Sequence, residues 1–218
     1  MLGGGLIGLN WGMFVWAVES ERVVEASLGY FMNPLMNVFL GVVFLGEALR
    51  KAQWLAVTFA AAGVLWLTIS LNAFPWVSLT LAISFALYGL IRTVAPASPL
   101  QGLGVETSVL LIPAVAFVLL RGNASENLTS DTATVILILL SGAVTGIPLL
   151  LFASSAKRIP LSILGILQYI TPTIQFLLGV FAYNETFDSN RLIGYSIIWS
   201  GLVIFALDSF QFASNQTS

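Results

Sequence analysis

The chain has 218 residues, of which 58% are hydrophobic and 8% charged, whereas soluble domains carry roughly 25% charged residues. Eight Lys and Arg, none in a run, and a net charge of −2 exclude the clustered phosphate neutralisation that nucleic-acid binding needs. Cys and His are both absent, which removes disulfides, thiolate chemistry, Ser–His and Cys–His mechanisms and the commonest metal ligand. With its three aspartates, Asp131, Asp188 and Asp208, in connections or at helix ends, the chain is expected to be no enzyme and to hold no metal or cofactor.

Eight apolar segments run in chain order, about 2–18, 26–46, 53–71, 74–94, 103–120, 133–154, 160–182 and 190–209. Each approaches the ~20 apolar residues that cross a bilayer, so the chain is predicted to be an all-α polytopic membrane protein. Segment one begins without a basic leader, unlike a signal peptide. It carries Gly4-x-x-x-Gly8, a close-packing signature of membrane helices, and the polar point Asn10-Trp11. Segment two opens on Glu25 and places Tyr30, Asn33 and Asn37 on one helical face, beside Pro34. Segment four closes on Arg92, and Glu106 sits in the first turn of segment five. The polar connection 121–132 is the expected extramembrane excursion, and Asn123 and Asn127 there head glycosylation sequons. Segment six repeats the signature as Gly142-x-x-x-Gly146, and segment seven carries Gln168, Tyr169, Thr171 and Gln175 around Pro172.

Residues 4–66 match residues 142–204 without a gap. Gly4, Gly8, Phe14, Pro34, Leu40, Gly41, Val42, Glu47 and Gly63 each recur 138 residues later. The match sets segments one to three on six to eight, a displacement of five. An odd displacement reverses the direction of each helix, so the repeat is inverted. Segments four and five precede the second copy and nothing precedes the first, which predicts two helices and roughly 65 residues missing before Met1. The intact architecture is then five plus five helices, with 2–71 as the last three of the first repeat and 74–210 as the second. Arg50, Lys51, Arg92, Lys157 and Arg158 fall on one side, and Arg22, Arg121 and Arg191 on the other. That bias places the first side, and the C-terminus, in the cytoplasm.

Asn10, Trp11, Tyr30, Asn33, Asn37, Gln168, Tyr169, Thr171 and Gln175 form the candidate pathway, with helix breaks at Pro34 and Pro172. Irregular backbone is tolerated where it is buried in protein or lines a water-filled cavity. The plainer alternative is that these amides only bond neighbouring helices. Glu25, Arg92 and Glu106 are either interfacial or a coupling or structural set, with Arg92 paired to Glu106. Glu47 and Glu185 are expected to hold a turn or cap the next helix. The two Gly-x-x-x-Gly motifs either pack helices within one chain or support a homodimer.

The stretch Glu25-Ala-Ser-Leu-Gly-Tyr-Phe-Met-Asn-Pro-Leu-Met-Asn37, then Gly46-Glu47 and Gln53-Trp-Leu-Ala-Val57, resembles the RarD branch of the EamA-like drug/metabolite transporters. Ser84-Phe-Ala-Leu-Tyr-Gly-Leu-Ile-Arg92, Gly104-Val-Glu-Thr107 and Leu167-Gln-Tyr-Ile-Thr-Pro172 fit the same pattern. The resemblance implies a bacterial inner-membrane permease of ten helices in two five-helix repeats, with both termini cytoplasmic; this chain departs from it by lacking the first two. The expected function is secondary transport of a small organic metabolite or drug-like solute by alternating access. The alternative is a truncated, non-transporting scaffold.

Overall fold

The computed structural model describes residues 1–70, 74–120, 132–181 and 189–216. Among them, every regular element is a helix: α1 (Leu2–Glu19), α2 (Val23–Leu45), α3 (Lys51–Ile69), α4 (Trp76–Val94), α5 (Pro99–Leu120), α6 (Thr132–Ala156), α7 (Leu161–Leu167), α8 (Ile170–Phe181) and α9 (Ser189–Gln216). Six of these, α2 to α6 and α9, are long and apolar enough to cross a membrane, so the chain is a multi-pass membrane protein. The other two expected spans differ. In the 18 residues of α1, five glycines and Asn10 dilute the apolar content, and the seventh segment is split into α7 and α8. The connection with Asn123 and Asn127, and Glu185, lie outside the described residues.

The split corrects the expected helix breaks. α2 runs through Pro34 without interruption, held by its burial against α4 and α7. In the second copy the helix is interrupted at Gln168 and Tyr169, not at Pro172 itself. A proline ring collides with the carbonyl four residues earlier, which for Pro172 is that of Gln168.

α2 is the hub, packing on α1, α3, α4 and α7, while α3 and α9 pair on one flank and α1 and α5 on the other. The α3–α9 crossing is reciprocal. A Cβ on Gly63 would lie 2.7 Å from the Gly194 carbonyl oxygen and 2.6 Å from Ile198 Cγ1; one on Gly201 would lie 2.7 Å from the Ala56 carbonyl oxygen and 3.4 Å from Ala60 N. Ala56 and Ala60 are the counterparts of Gly194 and Ile198 at the 138 offset. Mutual contacts of this kind mark a two-fold relation between two elements. A second mark is that Tyr169 Oη donates to the carbonyl of its own counterpart, Phe31, at 3.1 Å.

The bundle ends are fastened by charge. Gly46 takes the left-handed conformation (φ 68°) that ends α2, and Glu47 N bonds back to the Gly41 carbonyl. The Glu47 carboxylate then accepts from Leu161 N at 2.6 Å and Ser162 N at 2.8 Å. It therefore caps α7 in the other copy, 114 residues away, instead of the next helix. Gly41 leaves it room, since a Cβ there would sit 2.5 Å from Glu47 Oε2. At the same end Arg50 Nε donates to Asp208 at 2.7 Å, and Lys157 Nζ donates to the Ala95 carbonyl. At the opposite end the Arg22 guanidinium lies over Trp76 (4.9 Å) and Trp16 (5.7 Å).

Candidate functional site

A cavity of about 800 Å³ opens between α1, α2, α4, α6 and the α7–α8 break. Of the predicted pathway residues, Asn10, Trp11, Tyr30, Asn33, Gln168, Thr171 and Pro172 line it. The walls therefore come from both copies of the repeat. Asn10 and Trp11 sit on α1, Tyr30 and Asn33 on α2, and Gln168 and Thr171 flank the interruption between α7 and α8.

The amides form one network. Asn33 Nδ2 and Asn37 Nδ2 both donate to Gln168 Oε1, at 3.1 and 2.5 Å. Asn37 is fully buried and does not line the cavity; it supports Gln168 from behind. The carbonyl oxygens of Asn33 and Asn37 are buried without a donor, and each such orphan costs about 1–3 kcal/mol. Asn10 Nδ2 is committed to the Leu81 carbonyl (2.8 Å) and Ser84 Oγ (2.9 Å), fixing α1 on α4. Tyr169 is set away from the cavity, in the core with Phe31, Met32 and Ile198. The Gln175 side chain lies outside the described residues.

Close approach of α7 to α2 assembles this network. A Cβ on Gly165 would lie 2.7 Å from the Pro34 carbonyl oxygen and 2.8 Å from Asn37 Cβ. Only a residue without a side chain allows that contact at the proline, one turn before Gln168.

The sequence reading passed over the aromatic lining. Phe14, Phe85 and Phe152 face the cavity beside Trp11 and Tyr30. Phe14 meets Tyr30 edge-on with centroids 6.1 Å apart, and Phe85 meets Phe152 at 5.0 Å. A signal for two of them existed, because Phe14 and Phe152 are an identical pair at the 138 offset.

The three ionisable residues do not line the cavity. Glu25 Oε1 accepts from Arg22 Nε at 2.7 Å, and its other oxygen is buried without a partner. Arg92 and Glu106 lie 3.7 Å apart and are 2% and 6% exposed, so the pair is buried within the bundle. Arg92 Nη2 also donates to the Pro99 carbonyl (2.6 Å), and Tyr88 Oη donates to Glu106 Oε2 (3.2 Å). The guanidinium fills the space that a side chain at Gly102 would take, and Glu106 Oε1 lies against Gly3. Tyr88 stacks on Phe152 at 6.2 Å, linking this buried pair to the cavity wall.

The EamA-like transporter family matches residues 2–69 and 74–207. "Protein RarD" of Streptomyces exfoliatus is 44% identical over 97% of this chain and 68% of its own length. An uncharacterized transporter of Pseudomonas aeruginosa is 42% identical over 95% of this chain and 70% of its own. A crystal structure 19% identical in sequence superposes with a TM-score of 0.71 over 97% of this chain and 76% of that one, a likeness of fold alone. With helices of membrane length and this extent of match, the chain belongs to the EamA-like transporter family, a family of membrane transport proteins.

Proposed function

We propose that the chain acts as a secondary permease, moving a small organic solute across the bacterial inner membrane by alternating access. The carrying observation is the cavity of about 800 Å³ lined by residues from both matched stretches, 4–66 and 142–204, next to the contact between Tyr169 and Phe31, which lie 138 residues apart. Inverted-repeat transporters bind at the repeat interface and rock one bundle against the other. In this reading residues 2–71 are the last three helices of the first repeat and 74–210 are the second, and the substrate meets Asn10, Trp11, Tyr30, Asn33, Gln168 and Thr171. Asn37 positions Gln168, and the lipid bilayer surrounds the bundle.

The test is metabolite profiling of a strain deleted for the gene, complemented with wild type or with Gln168→Leu. At least one small organic solute is expected to accumulate on the donor side of the membrane in the deletion strain. Wild type restores its level and Gln168→Leu, at equal membrane abundance, does not. If deletion changes no metabolite and no toxin sensitivity, the permease reading fails and the non-transporting scaffold takes its place.

A further inference from the structure

Charge is what the cavity lacks. None of the described residues lining it is Lys, Arg, Asp or Glu. The ionisable groups on the neighbouring helices already face one another, Glu25 with Arg22 and Glu106 with Arg92. An ion entering this space would leave its hydration shell and find no counter-charge, which strongly disfavours it in a low-dielectric interior. Five aromatic rings line the same space, and they favour a flat solute that can stack against them.

The polar lining makes a second demand. Asn33 and Asn37 give their N–H groups to the same oxygen of Gln168, so both Asn carbonyls lack a donor. Asn33 is 8% exposed and lines the cavity. At Asn10 the amide nitrogen is used on α4, leaving its carbonyl as the group to offer. The Asn33 and Asn37 oxygens are closed off from the cavity, so Asn10 Oδ1 is the acceptor that an N–H or O–H group on a solute can reach. Gln168 Nε2 makes none of the hydrogen bonds within the amide network, so a donor remains for an acceptor on the solute.

Resting on the permease reading of this cavity, we infer that the site selects uncharged, planar solutes carrying an N–H or O–H donor beside an acceptor. Aromatic carboxamides have this chemistry, and cations and anions of the same size are rejected.

Equilibrium dialysis of the full chain in lipid nanodiscs at pH 7 tests the inference with radiolabelled probes sharing one ring system. 1-Naphthaleneacetamide is neutral, 1-naphthaleneacetate anionic and 2-(1-naphthyl)ethylamine cationic, and the ring itself carries no hydrogen-bond donor. The amide is expected to bind at least about tenfold more tightly than either ion. Its N,N-dimethyl derivative, which keeps the ring and carbonyl but loses the amide donors, is expected to bind roughly tenfold more weakly than the parent. Asn10→Leu should lower affinity for the parent amide to that of the dimethyl compound and leave binding of the dimethyl compound unchanged. An ion that binds as tightly as the amide, and is displaced by it, overturns the neutral-solute inference while leaving the cavity as the binding site. Equal binding of the two amides overturns the donor requirement. Absence of binding by every probe up to about 10 mM overturns the inference and the cavity reading together.

Discussion

Arg92 and Glu106 illustrate how much a single pair of side chains can matter in this bundle. At 2% and 6% exposed they are deeply buried, and a buried ion pair is costly to break although its net contribution is small. Removing one partner strands the other among α1, α4 and α5, where the remaining neighbours are the Pro99 carbonyl, the Tyr88 hydroxyl and glycine backbone. Arg92→Met and Glu106→Leu are each expected to destabilise the fold by about 3–5 kcal/mol. The Arg92→Met/Glu106→Leu double variant should cost less than either single change. Thermal unfolding in detergent, analysed as a double-mutant cycle, measures this coupling. Additive losses would mean the two groups are energetically independent. Nothing in the sequence separated this arrangement from a pair of interfacial charges, since both residues lie within a turn or two of a helix end. Their burial arises because α5 folds back on α1, with Glu106 seated over Gly3 and Gly4.

At the scale of elements, glycine decides which faces meet. Gly63 and Gly201 are crossing points of α3 and α9, where an added Cβ would collide with backbone at 2.7 Å. In α1, a Cβ on Gly8 would meet Leu110 Cδ2 at 2.6 Å, whereas among the described residues no neighbouring element lies within 4 Å of a Cβ on Gly142 or Gly146 in α6. The two copies of one motif therefore have different neighbours. Gly63→Val and Gly201→Val are expected to destabilise by similar amounts, about 1–3 kcal/mol each. Gly142→Val and Gly146→Val should cost nothing, because valine is a few tenths of a kcal/mol better than glycine in a helix. Unfolding temperatures of the four variants in one detergent check the ranking; a large loss at Gly146 would mean that another helix covers α6. Element positions were legible because a run of apolar residues is all a span requires. The α7–α8 interruption was misplaced onto the prolines because the ring's clash acts four residues upstream, and burial around Pro34 overrides it in α2. Likewise Phe85 looked like any lipid-facing aromatic, since residue type alone does not say which side of an apolar helix is wet.

For the whole molecule, the two matched stretches differ at the cavity. α7 and α8 are interrupted at Gln168 and Tyr169, and the counterpart positions Tyr30 and Phe31 sit in unbroken helix. Under alternating access between inverted repeats, each copy passes through the conformation its partner holds in the opposite state. The interruption should then move to Tyr30 and Phe31 while α7 and α8 join. Pro34 is already in place to loosen α2 there, because it offers no N–H to the Tyr30 carbonyl. Hydrogen exchange reads this directly, as amides at a helix interruption open more readily than those within a buried helix. On adding a bound solute, peptides covering residues 26–36 and 164–174 are expected to change exchange rate in opposite directions. The absence of Cys permits a second reading by thiol labelling of Thr171→Cys from each side of the membrane, with access expected to alternate. Parallel changes in the two peptides would show that the copies stiffen together, and a rocking exchange about the Tyr169–Phe31 contact would then be the wrong motion for this bundle.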